Sequence, residues 1–127
     1  MKISKLRIAK WKVNRKLWIK ALRSNKYKQG TGQLLDDGGN YCCLGVLCDI
    51  IGMQPKYKDC SNYFGNDSEM APYSAVHAVG LSDQHGTYEV KNDADCCLTT
   101  DNDIGITFPE IADLIEKEPK GLFRENK

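Results

Sequence analysis

The segment Cys43-Leu44-Gly45-Val46-Leu47-Cys48-Asp49-Ile50-Ile51 is almost wholly apolar, interrupted only by Gly45 and Asp49. A stretch without a polar face has to be enclosed on all sides, so the remaining elements must be arranged around it. Its length suits a buried strand or a buried helix, and periodicity cannot arbitrate over so few residues. Gly52 follows directly, and glycine after the last turn is a common helix stop, which favours a short central helix.

A chain of 127 residues is long enough for one domain with a modest core. No apolar run approaches the roughly 20 residues needed to span a bilayer, and Met1–Lys16 lacks the apolar stretch of a secretory signal. The expectation is a cytoplasmic protein with no membrane contact. Six cysteines are then thiols in a reducing compartment, read as small buried apolar side chains. Four of them form adjacent pairs, Cys42–Cys43 and Cys96–Cys97, and neighbours diverge too far to supply two ligands to one metal. No CxxC occurs, so neither a metal nor a cofactor is expected.

Asn14 reads as the cap of a helix from about Arg15 to Ser24, with Leu17, Trp18, Ala21 and Leu22 on one face and Lys16, Lys20 and Arg23 on another. Lys26 to Gly32 reads as an ordered loop. Asp36-Asp37-Gly38-Gly39, between Gln33–Leu35 and Asn40–Cys42, signals a β-hairpin. A polar loop is expected over 54–69, and Pro72 opens a helix with Val76 and Val79 inward and Gly80 closing it. Thr87–Val90 alternates like a strand. Thr107-Phe108-Pro109-Glu110 is a capping box before the Ile111, Leu114, Ile115 stripe of a helix to about Glu118. The expected architecture is therefore α+β: a compact single domain in which a small antiparallel sheet packs with several short helices. Residues 1–13 form a basic N-terminal arm, 14–119 the domain and 120–127 a frayed tail.

Charge is distributed unevenly. Residues 1–28 hold eleven Lys and Arg and no acid, whereas the rest holds all seventeen acids against seven basic residues. Two contact regions follow. Arg23, Lys26 and Lys28 surround the Gly30-x-Gly32 loop with Tyr27 between them, a combination offering cations, bare backbone amides and a stacking ring to a phosphate or nucleotide. Lys2, Lys5, Arg7, Lys10 and Lys12, with Trp11 as a stacking residue, extend the basic surface toward a nucleic-acid backbone. The bland readings remain open: Tyr27 packing in the core, and an arm that solubilises or contacts an acidic surface of another copy in a homo-oligomer.

Trp18-x-x-Ala21-Leu22-Arg23-Ser24-x-x-Tyr27-x-Gln29-Gly30-x-Gly32-x-Leu34, then Tyr41-Cys42-Cys43-Leu44-Gly45-Val46-Leu47-Cys48-Asp49, resembles a family of small proteins encoded by bacteriophages and prophages. Leu98, Asn102-Asp103-Ile104-Gly105 and Ile111-Ala112-Asp113-Leu114-Ile115 match its C-terminal hallmark. The adjacent Cys96 and Cys97 depart from that pattern. The resemblance carries over no catalytic residue; it implies a viral accessory protein that binds and blocks a host component, an antiviral-defence protein or its nucleotide signal.

The residues themselves point away from catalysis. His77 and His85 are the near-neutral bases, and neither sits in a motif supplying a nucleophile or metal partner. GxSxG, HExxH and Walker A patterns are missing from the sequence. Asp93, Asp95, Asp101 and Asp103 lack the glycine and terminal glutamate of an EF-hand. Three function classes stand: a non-enzymatic phage accessory protein acting on a host protein or nucleotide; a nucleic-acid-binding module using the basic N-terminal region; and, third, a small nucleotide hydrolase with His77 or His85 as base.

Overall fold

In the computed structural model, which describes residues 3–91 and 94–127, the basic N-terminal segment forms one long helix, α1 (Lys5–Arg23). Ser4 caps it, its side-chain oxygen accepting the Arg7 amide at 3.1 Å. The start expected at Arg15 is thus corrected to Lys5, because neither Gly nor Pro interrupts the intervening turns. From Lys5 onward the basic arm is an integral helix; Lys2 and Asp93 lie outside the described residues.

One stripe of α1, Trp11, Arg15, Trp18 and Leu22, is buried against the core at helical spacing. Leu17, expected on that face, is 50% exposed. Arg15 takes the inward place, with Nε donating to the Val79 carbonyl at 2.8 Å and its terminal nitrogens donating to both Glu125 oxygens at 2.5 and 2.7 Å. Its guanidinium lies 3.6 Å from the centre of the Phe123 ring. The segment expected to fray is therefore held: Leu122 and Phe123 are fully buried, and the Ser82 amide donates to the Leu122 carbonyl at 2.9 Å.

Burial alone would raise the Glu125 carboxyl, but the Arg15 hydrogen bonds outweigh it and hold the group below the usual carboxylate range. The folded value then lies under the unfolded one of about 4.3, so the pair stabilises the fold above that pH and its contribution fades as pH falls through the depressed value. Replacing Glu125 by Gln removes the bidentate carboxylate of buried Arg15 and leaves it only the longer carboxylate contact to Glu118, Nη1 to Oε1 at 3.4 Å. The expected loss at neutral pH is ~3 kcal/mol, shrinking below about pH 4, as followed by urea unfolding across an acid series.

The apolar run forms α2 (Cys43–Ile50), with every residue from Cys43 to Cys48 buried, and the chain turns at Gly52 with φ +87°. Pro72 precedes α3 (Tyr73–Val79), which buries Val76 and Val79 and ends at Gly80. Gly80 meets two demands: φ is +70°, and a Cβ there would lie 2.4 Å from the Trp11 ring. α4 (Leu98–Asp103) leads through Ile104–Ile106 to α5 (Phe108–Glu116), whose Thr107–Glu110 capping box is formed in both directions. Phe108, Ile111, Ala112 and Ile115 are its buried face, and Leu114 is half-buried. α1 packs across α2, α3 and α5, placing α2 at the centre.

The protein is α+β, with its strands divided between two small antiparallel pairs. β1 (Lys56–Lys58) pairs with β2 (Ser61–Tyr63) inside the segment read as loop. β3 (Thr87–Glu89) pairs with β4 (Asp95–Cys97), Tyr88 opposite Cys96. The turn at Asp36–Gly39 does form, with the Asp36 amide donating to the Asn40 carbonyl at 2.9 Å. It yields one antiparallel bridge, Leu35 to Tyr41, in place of the expected strands. Cys42 is already the cap of α2, which leaves no room for a second strand.

Candidate functional site

The Arg23–Gly32 region is ordered, but its polar groups are turned to structural tasks. Arg23 reaches across to α5, donating to Asp113 at 2.6 Å and Glu116 at 3.1 Å. Tyr27 is half-buried, donates its hydroxyl to Asp49 and meets Tyr41 edge-on at 5.1 Å between centroids. The Gly30 amide donates to the Tyr41 carbonyl at 2.8 Å, and the Gly32 amide to an Asp103 carboxylate oxygen at 2.9 Å. Both amides proposed as an anion cradle are therefore occupied from within, one of them by an acid. Lys26 and Lys28 are exposed.

Several of the motif residues, Trp18, Gln29, Gly30, Cys43 and Asn102, join this internal framework. Asn102, 1% exposed, accepts from the Cys43 amide and from Gln29, and donates to the Gly30 carbonyl at 2.7 Å. Trp18 Nε1 donates to the Cys43 carbonyl at 2.9 Å. These bonds tie α1, the glycine loop, α2 and α4 together, a task of folding.

The basic N-terminal residues separate into two groups. Arg7, Lys10, Trp11 and Asn14, at i, i+3, i+4 and i+7, line a groove of about 520 Å³ with His77 of α3 and Arg124 of the C-terminal turn. Trp11 forms its buried floor and is 3% exposed, which corrects the picture of a free stacking residue. The Arg124 guanidinium lies 5.7 Å from the centre of the Trp11 ring, and its backbone amide donates to the Gly80 carbonyl at 2.9 Å. Asn14 Nδ2 donates to the Ala78 carbonyl at 2.7 Å, fixing α3 against α1. Among the described residues, the lining carries no carboxylate. Three permanent cations and an imidazole thus converge on one concave surface, an arrangement suited to phosphate oxygens.

Lys5 and Lys12 lie outside this groove. Lys5 sits exposed in the first turn, and Lys12 lines a separate hollow between α1 and α5 that also contains Glu116 and Glu118. His77 and Arg124 escaped the reading of the basic segment because they arrive from distant positions. His77 is stacked on the exposed Tyr73, with centroids 6.3 Å apart and planes at 27°. His85 is exposed, near the β3–β4 pair and away from the groove lining.

Among the described residues, no group of three or more His, Cys, Asp or Glu is placed to hold a metal ion. Asp101 accepts from the Tyr88 hydroxyl at 2.6 Å, Asp103 from the Gly32 amide, and Asp95 is exposed; Asp93 lies outside the described residues. The cysteines are not alike: Cys42, Cys43 and Cys48 are buried, Cys96 and Cys97 half-buried, and Cys60 exposed. Burial pushes the Cys42 thiol up to about 11 and Cys48 to about 12. Burial opposes ionisation of Cys97 too, but hydroxyls of Thr100 and Thr99, each 3.1 Å from its sulfur, outweigh it and lower that thiol. Iodoacetamide at neutral pH is expected to modify Cys97 and exposed Cys60 while sparing Cys42, Cys43 and Cys48 until the protein is denatured, as read by peptide mass mapping.

Fold and site together define a small α+β protein built on a buried central helix, with an open cationic groove between α1, α3 and the C-terminal turn. The chain belongs to the family of the domain of unknown function DUF8296, whose model matches residues 10–119. Arg7 and Arg124, two of the three cationic side chains of the groove, fall outside that match. No curated protein and no solved structure matches the chain.

Proposed function

We propose that this protein acts by binding, and that its groove takes the phosphate backbone of a nucleic acid. The observation that carries this reading is the convergence of Arg7, Lys10 and Arg124, with His77, on a concave surface whose lining includes no carboxylate among the described residues. Guanidinium groups suit phosphate geometrically, and an ungated groove admits a continuing strand. Lys5, Lys12, Lys16 and Lys20 have no carboxylate within 4.0 Å among the described residues, and their field adds long-range attraction. The resemblance to small phage and prophage proteins supports a setting in the cytoplasm of an infected host, as an accessory protein.

Replacing Arg7, Lys10 and Arg124 together by Gln keeps polar side chains there and removes three charges. Affinity for a fluorescent DNA oligonucleotide at low salt is expected to fall at least ~100-fold, with the circular dichroism spectrum unchanged, because each of the three phosphate contacts contributes about 1 kcal/mol or more. Unaltered affinity would remove the groove from the interface.

A second reading keeps the same cations and changes the ligand to a nucleotide signal of host defence. It is favoured by the exposed Tyr73–His77 stack, which offers one aromatic platform beside the charges. Competition separates the two: a free nucleotide that displaces the oligonucleotide at micromolar concentration favours the signal, whereas displacement only by longer strands favours the backbone.

A further inference from the structure

α1 has a second surface that neither the core nor the groove uses fully. Leu6, Lys10, Val13, Leu17 and Lys20 follow one another at alternating steps of four and three residues, the spacing of a and d positions in a coiled-coil seam. The three apolar members are 70%, 60% and 50% exposed, while Trp11, Arg15, Trp18 and Leu22 occupy the buried face. Other exposed large apolar residues, Tyr57, Tyr73, Val90 and Ile104, are dispersed over separate segments. From Leu6 to Leu17 the row runs about 16 Å along the helix, three turns of continuous seam.

Its borders select the occupant. Lys10 and Lys20 lie in the row, and Lys16 and Arg7 lie to either side; α1 contains no acid at all. A second copy of α1 would set cations against cations, which is unfavourable at close range. The acidic helix α5 of a second copy offers no seam to match, since its Phe108, Ile111, Ala112 and Ile115 are buried. A lipid surface needs a broad apolar face, and here the apolar row is a single residue wide between lysines. We propose that this face of α1 docks an amphipathic helix of a different protein, one with apolar residues at heptad spacing flanked by Asp and Glu. The apolar row does not rest on the nucleic-acid reading, although Lys10 in the row and Arg7 beside it also line the groove.

The test uses the full chain and a synthetic three-heptad peptide with Leu at a and d and Glu at e and g, whose self-repulsion keeps it single at neutral pH. Calorimetry is expected to show one-to-one binding, weakened at least tenfold by Val13→Ser with Leu17→Ser and unaffected by Arg124→Gln or by Tyr57→Ser. The same peptide with Lys at e and g is expected not to bind. Absence of binding by the acidic peptide, equal binding of the basic one, or insensitivity to the seam variant would overturn the proposal. So would a homodimer by sedimentation that Val13→Ser with Leu17→Ser dissociates, or seam-dependent binding to phosphatidylserine vesicles without peptide binding.

Discussion

A chain ending at Pro119 is expected to be unfolded at 25 °C. Leu122 and Phe123 are fully buried, and their loss opens a cavity beside Leu81, which bridges to Phe123, and beneath Arg15. Removing a buried Leu and a buried Phe costs about 5–10 kcal/mol together, and loss of the bidentate Glu125 contact to buried Arg15, which keeps only Glu118 as a carboxylate partner, adds ~3 kcal/mol. That sum is comparable to the whole stability of a domain this size, about 5–15 kcal/mol. The graded form is Phe123→Ala, for which a loss of ~4 kcal/mol is expected by urea unfolding. A truncated chain with native amide dispersion in its NMR spectrum would show that residues 120–127 are dispensable.

The reason this segment read as a tail is physical. Gly121-Leu122-Phe123 is too short for any periodicity, and its burial is decided by long-range partners that local sequence does not encode. The start of α1 was hidden differently: Arg15 occupies an inward position, so the apolar stripe of Trp11, Trp18 and Leu22 is broken at its middle. β1 and β2 are three-residue strands with exposed or half-buried side chains, too short for an alternation of apolar and polar residues to stand out. By contrast, α2, α3 and α5 were legible because each carries its own boundary signal: Gly52, the Pro72 and Gly80 pair, and the Thr107 capping box. The candidate site was half legible. Arg7 and Lys10 stand out in an acid-free run, whereas His77 and Arg124 become their neighbours only when α3 and the C-terminal turn close on Trp11. The most recognisable motif residues, Trp18, Gln29 and Asn102, hold the framework.

Gly45→Ala separates helix propensity from packing. In isolation, alanine inside a helix is favoured over glycine by about 1 kcal/mol. Here a Cβ would stand 1.9 Å from the Leu34 carbonyl oxygen and 2.7 Å from its carbon. Leu34 cannot yield freely, since its amide donates to Ser68 at 2.7 Å and its carbonyl accepts from Cys42. α2 lies at the centre of the fold, so moving it disturbs α1, α3 and α4 together. The expected change is a loss of ~3 kcal/mol or more and a melting temperature lower by about 10 °C. A variant as stable as the parent would mean that α2 does not press on Leu34.

The binding reading stands or falls on how affinity for duplex DNA changes with salt. With three or four phosphate contacts in the groove, log affinity should fall linearly with log salt, giving a loss of about 40- to 150-fold between roughly 50 and 200 mM. The Arg7→Gln, Lys10→Gln, Arg124→Gln variant should show a much shallower line, its slope reduced by about 3. A parent protein whose affinity is indifferent to salt, or a variant with the parent's slope, would contradict a phosphate-binding groove.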